Sequence, residues 1–454
     1  MHSDFDSKKA SAGSPDRFMP ELLAPAGGPS QLDAALRFGA DAVFLAADRY
    51  GMRARADNFP LDDIPAAVRR AHQAGAKVYI TLNTLMNDRD LDGLPAYCEA
   101  LAAAGSDAFI VGDMGAFAVA QRHAPQVDLH ISTQASVSNA EAASLWHSLG
   151  AKRIVCAREM SMEQIADMRA KAPRSLEIEV FVHGAMCMAY SGRCLLSSAM
   201  TGRSGNKGAC AQSCRWSYAL VEEKRPGEYF PIEEDVRGSY IMNAEDLCMV
   251  RHLDELRSIG VDSLKIEGRN KRAFYVATVV GAYRRALDGG DAGEAERELF
   301  TISHRPYGTG FYFGRPNQSA YRDGYVKECL HVATIERSEF VHEGKRAGAW
   351  RVTALCQNRF FEGDRLEVIT PRKPSFSCTV SDLGLMVPAD GGLPFVERKL
   401  SLDEVLPLSR LEPCNVANRA SEHYVFYSDV ELSFGDFVRR RIEASDDRPA
   451  FTIG

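Results

Sequence analysis

The chain has 454 residues, of which 45% are hydrophobic and 25% are charged, and its formal net charge is −7. This is the composition of an ordinary globular protein, and the negative charge argues against a protein that coats nucleic acid indiscriminately. No run of 18 uncharged apolar residues occurs, so we expect no transmembrane helix.

The N-terminal segment, MHSDFDSKKASAGSPDRF, is polar. It lacks the apolar core of a secretory signal, so residues 1–18 are predicted to form a disordered tail. We therefore expect a cytoplasmic protein whose cysteines stay reduced. In that compartment, clustered cysteines indicate metal or redox chemistry rather than disulfides.

A repeated phrase predicts the fold of residues 19–327. A helical run ends in Gly and a small residue, and an apolar strand follows, as in RFGADAVFLA, QAGAKVYITLN, AAGSDAFIVGD and SLGAKRIVCARE. Strands that alternate with helices form right-handed βαβ units, and eight of them favour a TIM-like (β/α)8 barrel over a doubly wound open sheet. No Gly-rich dinucleotide fingerprint follows the first strand. The eight predicted strands are 21–25, 42–46, 77–82, 108–112, 128–133, 153–157, 177–182 and 262–267.

Charged side chains occur where apolar ones are expected in the last two strands. In EIEVFVHG, Glu179 and His183 share one face by period-two alternation, and in SLKIEGR, Lys265 and Glu267 share another. We expect these four residues to point into the barrel mouth, where TIM barrels carry out their chemistry, and to be catalytic. The alternative is a structural ion pair of Lys265 with Glu179 or with Glu267.

Four of the eleven cysteines fall in an insertion, residues 184–240, between strands seven and eight. Cys187, Cys194, Cys210 and Cys214 form a C-x₆-C-x₁₅-C-x₃-C array, whereas the other seven are isolated and fit small buried hydrophobes. Zinc and an iron–sulfur cluster both use four thiolates, and the spacing does not decide between them. A catalytic thiol acting with His183 would leave three cysteines unexplained.

The stretch EVFVHGAMCMAYSGRCLLS resembles the signature of the collagenase-like peptidase family U thirty-two. The resemblance continues through ACAQSCRWSY, YIMNAEDL, SLKIEGRNK and HRPYGTGFYFG and covers about residues 20–420. The later phrases are most similar to one branch, the prephenate-dependent tRNA hydroxylation proteins. The segment between Trp216 and Tyr240 is shorter than in some members of that branch.

The resemblance implies an enzyme that hydroxylates the wobble uridine of tRNA to 5-hydroxyuridine. It implies a 4Fe-4S cluster on Cys187, Cys194, Cys210 and Cys214, with prephenate as co-substrate or ligand. The implied partners are tRNA, prephenate and the iron–sulfur assembly machinery. The alternatives are a collagenase-like peptidase, a hydroxylase of another RNA or of a quinone precursor, and a non-catalytic RNA-binding or assembly protein.

Two groups of basic residues are candidates for binding anions. Arg269, Lys271 and Arg272 follow the eighth strand and are predicted to bind RNA phosphates; the alternative is salt bridges with the acidic residues 294–298. A dicarboxylate such as prephenate is best bound by paired guanidinium groups. The candidates for this role follow other predicted strands and are Arg53, Arg55 and Arg158. The alternative is that these arginines only pack in loops.

Short alternating strands separated by Gly, Pro and Asp turns predict a small C-terminal β-barrel domain at residues 328–420. Residues 421–454 are predicted to be a C-terminal extension that ends in a frayed tail. The three arginines 439–441 in it are predicted to be a solvated charge run.

Overall fold

The computed structural model describes residues 18–52, 58–186, 192–216, 219–220, 230–231, 245–314, 326–398 and 400–442. Two folded units follow one another in this part of the chain. The first is a parallel α/β barrel that reaches residue 314, and the second is an antiparallel β domain that begins at residue 326.

The N-terminal unit is a closed barrel of parallel strands. Its described strands are β1 (Glu21–Pro25), β2 (Ala42–Leu45), β3 (Lys77–Leu82), β4 (Ala108–Val111), β5 (Asp128–Ile131), β6 (Arg153–Val155), β7 (Glu177–Ala185), β8 (Ala219–Leu220), β9 (Phe230–Pro231), β10 (Asp246–Cys248), β11 (Ser263–Ile266) and β12 (Tyr307–Gly308). Strands β1 to β7 pair in sequence order, and β11 closes the ring by pairing with both β1 and β7. The predicted (β/α)8 barrel is confirmed, and each predicted strand overlaps an observed one.

Helices surround the barrel. They are α1 (Pro29–Arg37), α2 (Ile64–Gln73), α3 (Asp88–Leu91), α4 (Leu94–Ala103), α5 (Met114–His123), α6 (Ala140–Ser148), α7 (Met162–Lys171), α8 (Leu196–Thr201), α9 (Leu253–Ile259), α10 (Ala273–Leu287) and α11 (Ala292–Leu299). The repeated glycine ends helices as the sequence predicts: Gly150 follows α6 with φ +107°, and Gly260 follows α9 with φ +85°. A residue with a side chain is strained at such angles, so glycine is favoured there.

The insertion leaves the barrel wall intact. Strand β7 runs past the barrel to Ala185, and β10 pairs antiparallel with this extension. The described part of the insertion contains α8 and short 3₁₀ turns, and the chain then returns through α9 to β11. Because β11 pairs directly with β7, the cysteine-bearing segment projects from the carboxyl ends of these two strands.

The C-terminal unit is an antiparallel half-barrel. Its elements are β13 (Cys329–Phe340), β14 (Trp350–Cys356), β15 (Phe360–Phe361), β16 (Arg365–Ile369), β17 (Phe376–Thr379), β18 (Ser381–Pro388), α12 (Phe395–Arg398), α13 (Leu402–Val405), β19 (Ser409–Pro413), β20 (Val416–Ala417), β21 (His423–Ser428) and β22 (Phe437–Arg441). Eight strands form one sheet in the order β17-β16-β22-β13-β14-β21-β18-β19.

The predicted boundary at residue 420 differs from the structure. Strands β21 and β22 lie inside the sheet, so the domain continues to Arg441. The predicted charge run is only partly solvated, because Arg439 is 1% exposed and donates to Thr301 of the barrel unit at 2.6 Å. The sequence prediction missed β22 because its last three residues are adjacent arginines, which are typical of a solvated charge run. The ion pairs of Arg439 with Glu298 and with Glu367 join the two units.

Candidate active site at the mouth of the barrel

A chain of alternating charges runs through the barrel interior. The Nη1 atom of Arg153 donates to Glu21 at 2.6 Å and to Glu179 at 3.0 Å. The Nζ atom of Lys265 donates to the other oxygen of Glu179 at 2.8 Å. Arg153 also donates to Glu177 at 2.8 Å, near the amino ends of the strands. We call Glu21, Arg153, Glu179 and Lys265 the interior charge network.

The network fixes the protonation of Glu179. Burial opposes its ionisation, but the nearby cations Lys265 and Arg153 outweigh burial and hold the pKa of Glu179 below its usual range. Burial lowers the pKa of Lys265, and the charge of Glu179 opposes that shift. The structural ion pair of Lys265 with Glu179, given above as the alternative, is thus present in the structure. Both residues are almost completely buried.

A pocket opens above this network at the carboxyl ends of the strands. Its apolar lining includes Phe44 and Phe181, whose ring centres lie 4.5 Å and 5.6 Å from the Lys265 ammonium. Most of the other lining residues are polar. The lining residues are Phe44, Met52, Thr81, Asn83, Ser132, Thr133, Gln134, Val155, Arg158, Phe181, Lys265, Glu267 and Arg269.

Three cations and one carboxylate line this pocket. Arg158 lies over the Phe181 ring at 4.1 Å, and its Nη2 atom is 3.9 Å from Glu267. Arg269 is 3% exposed and donates to the hydroxyl of Thr81 at 3.3 Å. A concave site with apolar lining and a few convergent charges is typical of a small-molecule site. The mouth is therefore suited to a ligand with anionic groups.

His183 is separated from the other three predicted catalytic residues. The pairing of β7 with β11 shifts by one residue after Lys265, so this bulge turns His183 away from the interior. Its ring contacts Tyr275 and Tyr283 of α10 at 6.0 Å and 5.5 Å between ring centres. The expectation that His183 and Glu179 share a face fails because simple alternation cannot anticipate a bulge. Burial lowers the pKa of His183 to about 3, so the ring is neutral near pH 7.

The predicted anion-binding residues occupy different places. Arg158 and Arg269 lie in the pocket, whereas Arg272 is exposed and precedes α10. Lys271 is half-buried, with Nζ 5.2 Å from the Tyr275 ring centre. Two of the acidic residues weighed as alternative partners are paired elsewhere, Glu296 with Arg251 and Glu298 with Arg439. Arg53 and Arg55 lie outside the described residues.

Three of the four predicted cysteine ligands lie in the described part of the insertion. Cys194 and Cys214 are half-buried and Cys210 is exposed. The backbone N–H of Gln212 donates to the sulfur of Cys210 at 3.3 Å, a contact that stabilises a thiolate. Within the described residues, no three Cys, His, Asp or Glu side chains form a metal-binding group, and Cys187 lies outside them. The donor type and accessibility fit a metal cluster, which six other cysteines, buried in apolar surroundings, do not.

The insertion is fastened to the rim of the pocket. A Cβ atom on Gly192 would lie 2.1 Å from the carbonyl oxygen of Gln134, so glycine is required for this close approach. Asn206 accepts a hydrogen bond from the backbone of Leu85 at 3.1 Å, and its amide donates to the carbonyl of Cys194 at 3.0 Å. These contacts bring the cysteine-bearing loop beside the pocket-lining residue Gln134.

Sequence reasoning missed several residues of the site. Arg153 begins β6 and Glu21 begins β1. The period-two alternation of each strand directs these two side chains into the barrel, so both could have been predicted from the sequence. Thr81, Asn83 and Ser132 are small polar residues at strand ends. They come together in the pocket only because the strands close into a barrel, which the local sequence does not show.

The matching family model is described as Peptidase family U32, and it spans residues 27–322. The chain belongs to this family. The match to Peptidase family U32 begins just after β1, covers the rest of the barrel and the insertion, and ends before the C-terminal half-barrel. Among the described residues, no helix is long and apolar enough to cross a membrane.

Three relatives illustrate the range of Peptidase family U32. The chain is 38% identical to tRNA hydroxylation protein P1 of Bacillus subtilis over 80% of this chain and 86% of that protein. It is 34% identical to tRNA hydroxylation protein P of Escherichia coli over 78% and 87%, respectively. It is also 34% identical to a protein named Collagenase of Porphyromonas gingivalis over 65% and 74%.

Proposed function

We propose that this protein hydroxylates tRNA and converts the wobble uridine to 5-hydroxyuridine. The observation that carries the proposal is the 38% identity, over most of both chains, to a relative named tRNA hydroxylation protein P1. The pocket supports it, because a base that leaves its stack enters a concave site lined by hydrogen-bonding groups. We also propose a cytoplasmic location, because tRNA, the proposed substrate, is present there.

The reaction replaces the hydrogen on C5 of uracil by a hydroxyl group; with water as the oxygen source, uridine and H2O give 5-hydroxyuridine, two protons and two electrons, so an external two-electron acceptor must take up the electrons. We assign the side chains of Gln134 and Ser132 to the polar edge of the base and Glu267 to the proton released from C5. Lys265, held by Glu179, supplies positive charge in the pocket.

We propose a 4Fe-4S cluster on Cys187, Cys194, Cys210 and Cys214, loaded by the iron–sulfur assembly machinery. When bound, the cluster would supply electron transfer or Lewis-acid chemistry at the rim of the pocket. The protein's contribution is to hold the loop there through Gly192.

Anaerobic purification tests the cluster. Iron, sulfide and a visible absorption band are expected in the wild-type protein. All three should be lost in Cys210→Ser, because the cluster loses one of its four thiolate ligands. The insertion should also become less stable, because a metal site contributes folding energy. Cys248→Ser is the control, since this cysteine is buried beside Tyr283 and should not affect metal content. Stoichiometric zinc without iron in the wild-type protein would contradict the proposal.

Prephenate is the proposed co-substrate. Of the three arginines predicted to bind it, Arg158 lines the pocket. Arg53 and Arg55 keep their predicted role.

Proteolysis is the alternative function, favoured by the family name and by the relative named Collagenase. A Cys187–His183 dyad is disfavoured because His183 is 1% exposed and packs against α10, where no peptide could reach it. Nucleoside mass spectrometry of tRNA from a deletion strain decides between the two. Loss of 5-hydroxyuridine is expected, with casein and gelatin left intact by the purified protein. Unchanged 5-hydroxyuridine in a strain with no redundant pathway would reject the hydroxylase.

A further inference from the structure

The insertion differs in charge from the rest of the chain. Its described segment 192–216 contains four Lys or Arg residues and no Asp or Glu, whereas the whole chain has 54 basic and 61 acidic residues. We call this segment the cysteine arm, because it carries Cys194, Cys210 and Cys214. A local positive charge in an acidic protein indicates a surface for an anionic partner.

Two arginines of the cysteine arm have no carboxylate partner among the described residues. Arg193 is exposed, and Arg203 is half-buried and donates from Nη2 to the carbonyl oxygen of Cys210 at 3.4 Å. An exposed arginine of the C-terminal unit shows the contrast, because Arg410 forms an ion pair with Glu412 at 2.6 Å. A guanidinium group without a carboxylate partner keeps donors for phosphate oxygens, which fit its planar fork.

Hydrogen bonds hold the cysteine arm in one conformation. The buried hydroxyl of Ser197 donates to the carbonyl oxygen of Arg203 at 2.6 Å and accepts from the backbone N–H of Ala211 at 2.9 Å. Lys207 forms an ion pair with Asp90 of the barrel unit at 2.6 Å. The arm therefore presents its charges at fixed positions.

The start of the arm lies at the pocket. Gly192 approaches the carbonyl of the pocket-lining residue Gln134 too closely for a side chain. Arg193 is the next residue, so it lies at the rim through which a base would enter.

Three large apolar side chains of the cysteine arm are exposed. The exposed fraction is 74% for Leu195, 48% for Met200 and 47% for Trp216. The turn before Trp216, residues 213–215, packs against α8, which carries Met200. An exposed indole on a cationic segment is typical of a site for single-stranded RNA, whose bases stack on aromatic side chains.

We propose that the cysteine arm is the surface that binds the anticodon loop of tRNA. Arg193 and Arg203 bind backbone phosphates, and Trp216 stacks on a base next to the nucleotide that enters the pocket. A single-stranded loop offers both phosphates and unstacked bases. Contacts with flanking nucleotides position a flipped base and help to select the substrate. The choice of tRNA as the partner rests on the proposed function.

Filter binding with the holoprotein over a salt series tests the two arginines. The RNA is tRNA from the deletion strain, in parallel with its anticodon stem–loop. For Arg193→Gln, the Kd should rise roughly 3- to 10-fold at low salt, and the slope of log K against log salt should fall by about 0.7, the value for one phosphate contact to a single strand. Adding Arg203→Gln should bring the decrease in slope to about 1.4.

Trp216→Ala should give a different result from the arginine variants. Loss of one stacking contact should raise the Kd roughly 5- to 150-fold and leave the salt slope unchanged, because no phosphate contact is removed. Trp216→Phe keeps a stacking ring and should retain most of the affinity. Arg410→Gln is the matched control, an exposed arginine on β19 whose loss should change neither the Kd nor the slope.

Iron content separates RNA binding from cluster binding. Every variant should contain as much iron as the wild-type protein, because none of the substituted residues is a predicted ligand. tRNA affinity that falls only in variants that have lost iron would assign the arginines to the charge of the thiolates and overturn the inference.

Wild-type Kd and salt slope in both Arg193→Gln and Trp216→Ala would also overturn it. If those variants keep tRNA affinity but acquire less iron in cells, the arm is instead a docking surface for the assembly machinery. The proposed function is read separately, from 5-hydroxyuridine in the deletion strain. Loss of 5-hydroxyuridine there, with unchanged tRNA binding by the variants, would reject this inference alone. Binding of tRNA through the arm, with 5-hydroxyuridine retained in the deletion strain, would reject the proposed function alone.

Discussion

The interior and the mouth of the same barrel use similar charged groups in different ways. In the interior, Arg153 contacts Glu21 and Glu179 within 3.0 Å, so the charges neutralise one another away from water. At the mouth, the ion pair between Arg158 and Glu267 is 3.9 Å long, and both groups border a cavity. Charges paired this tightly hold the barrel together, whereas the charged groups at the mouth border the cavity that we propose as the substrate site. Lys265 belongs to both regions.

The largest expected effect comes from breaking the interior charge network at its centre. Arg153→Met would leave the buried Glu179 and the partly buried Glu21 and Glu177 without their shared partner. Removing one member of a buried ion pair costs about 3–5 kcal/mol, so the free energy of unfolding should fall by that amount. Chemical denaturation measures it.

The exposed pair of Arg251 and Glu296 supplies the control for that experiment. Arg251→Met should leave the denaturation midpoint unchanged, because surface ion pairs contribute little to stability. If Arg153→Met were as stable as Arg251→Met, the interior network would have no structural role. That result would contradict the proposed difference between the interior and the mouth of the barrel.

Lys265→Met should show both kinds of loss, because Lys265 joins the two regions. Glu179 would keep Arg153 as a partner, so we expect a smaller decrease in the free energy of unfolding than for Arg153→Met, roughly 1.5–3 kcal/mol. We also expect 5-hydroxyuridine to disappear from tRNA in cells that depend on the variant. A Lys265→Met protein with wild-type stability and full tRNA modification would show that Lys265 contributes neither to the interior charge network nor to the site at the mouth.

His183 provides a smaller, pH-dependent test outside both regions. Its pKa is lowered to about 3 in the folded protein, so below about pH 6.5 the unfolded chain binds a proton that the folded chain does not. Stability is therefore complete above pH 6.5 and decreases as the pH falls, by about 2 kcal/mol at pH 5 for this group alone. His183→Gln should reduce the stability difference between pH 7.5 and pH 5 by about 1–2 kcal/mol.

Tyr283→Phe is the control for the histidine experiment. It removes the hydroxyl that donates to the Val182 carbonyl at 2.6 Å and does not remove the titrating ring. It should lower stability by a similar amount at both pH values. Equal pH dependence in wild type and His183→Gln would show that His183 can be protonated in the folded protein.

The sequence predicted the barrel because its signals are local. Each helix end, each glycine and each apolar strand is visible in a window of about ten residues, and all eight strands were placed by those features. The pairing of Lys265 with Glu179 was also within reach, since alternation directs both inward. The bulge at His183 could not be predicted in this way, because it depends on the pairing register between β7 and β11.

The remaining parts of the site depend on long-range packing. Arg269 enters the pocket because its loop is pressed against Gly27, which is 242 residues earlier in the chain (269 − 27). The docking of Gly192 on Gln134 is of the same kind. Neither contact has a signature in the local sequence, and so Arg269 was assigned to RNA on its neighbours alone.

Glu267→Gln tests the central claim, that the mouth is the site of hydroxylation, most directly. Glu267 borders the pocket, its ion pair with Arg158 is long at 3.9 Å, and glutamine has nearly the same size and shape, so the variant should fold normally. In cells whose only copy carries Glu267→Gln, nucleoside mass spectrometry should show 5-hydroxyuridine formed more slowly by on the order of 100-fold, the usual cost of losing a general base. Wild-type levels of 5-hydroxyuridine with Glu267→Gln, at equal protein abundance, would contradict the account.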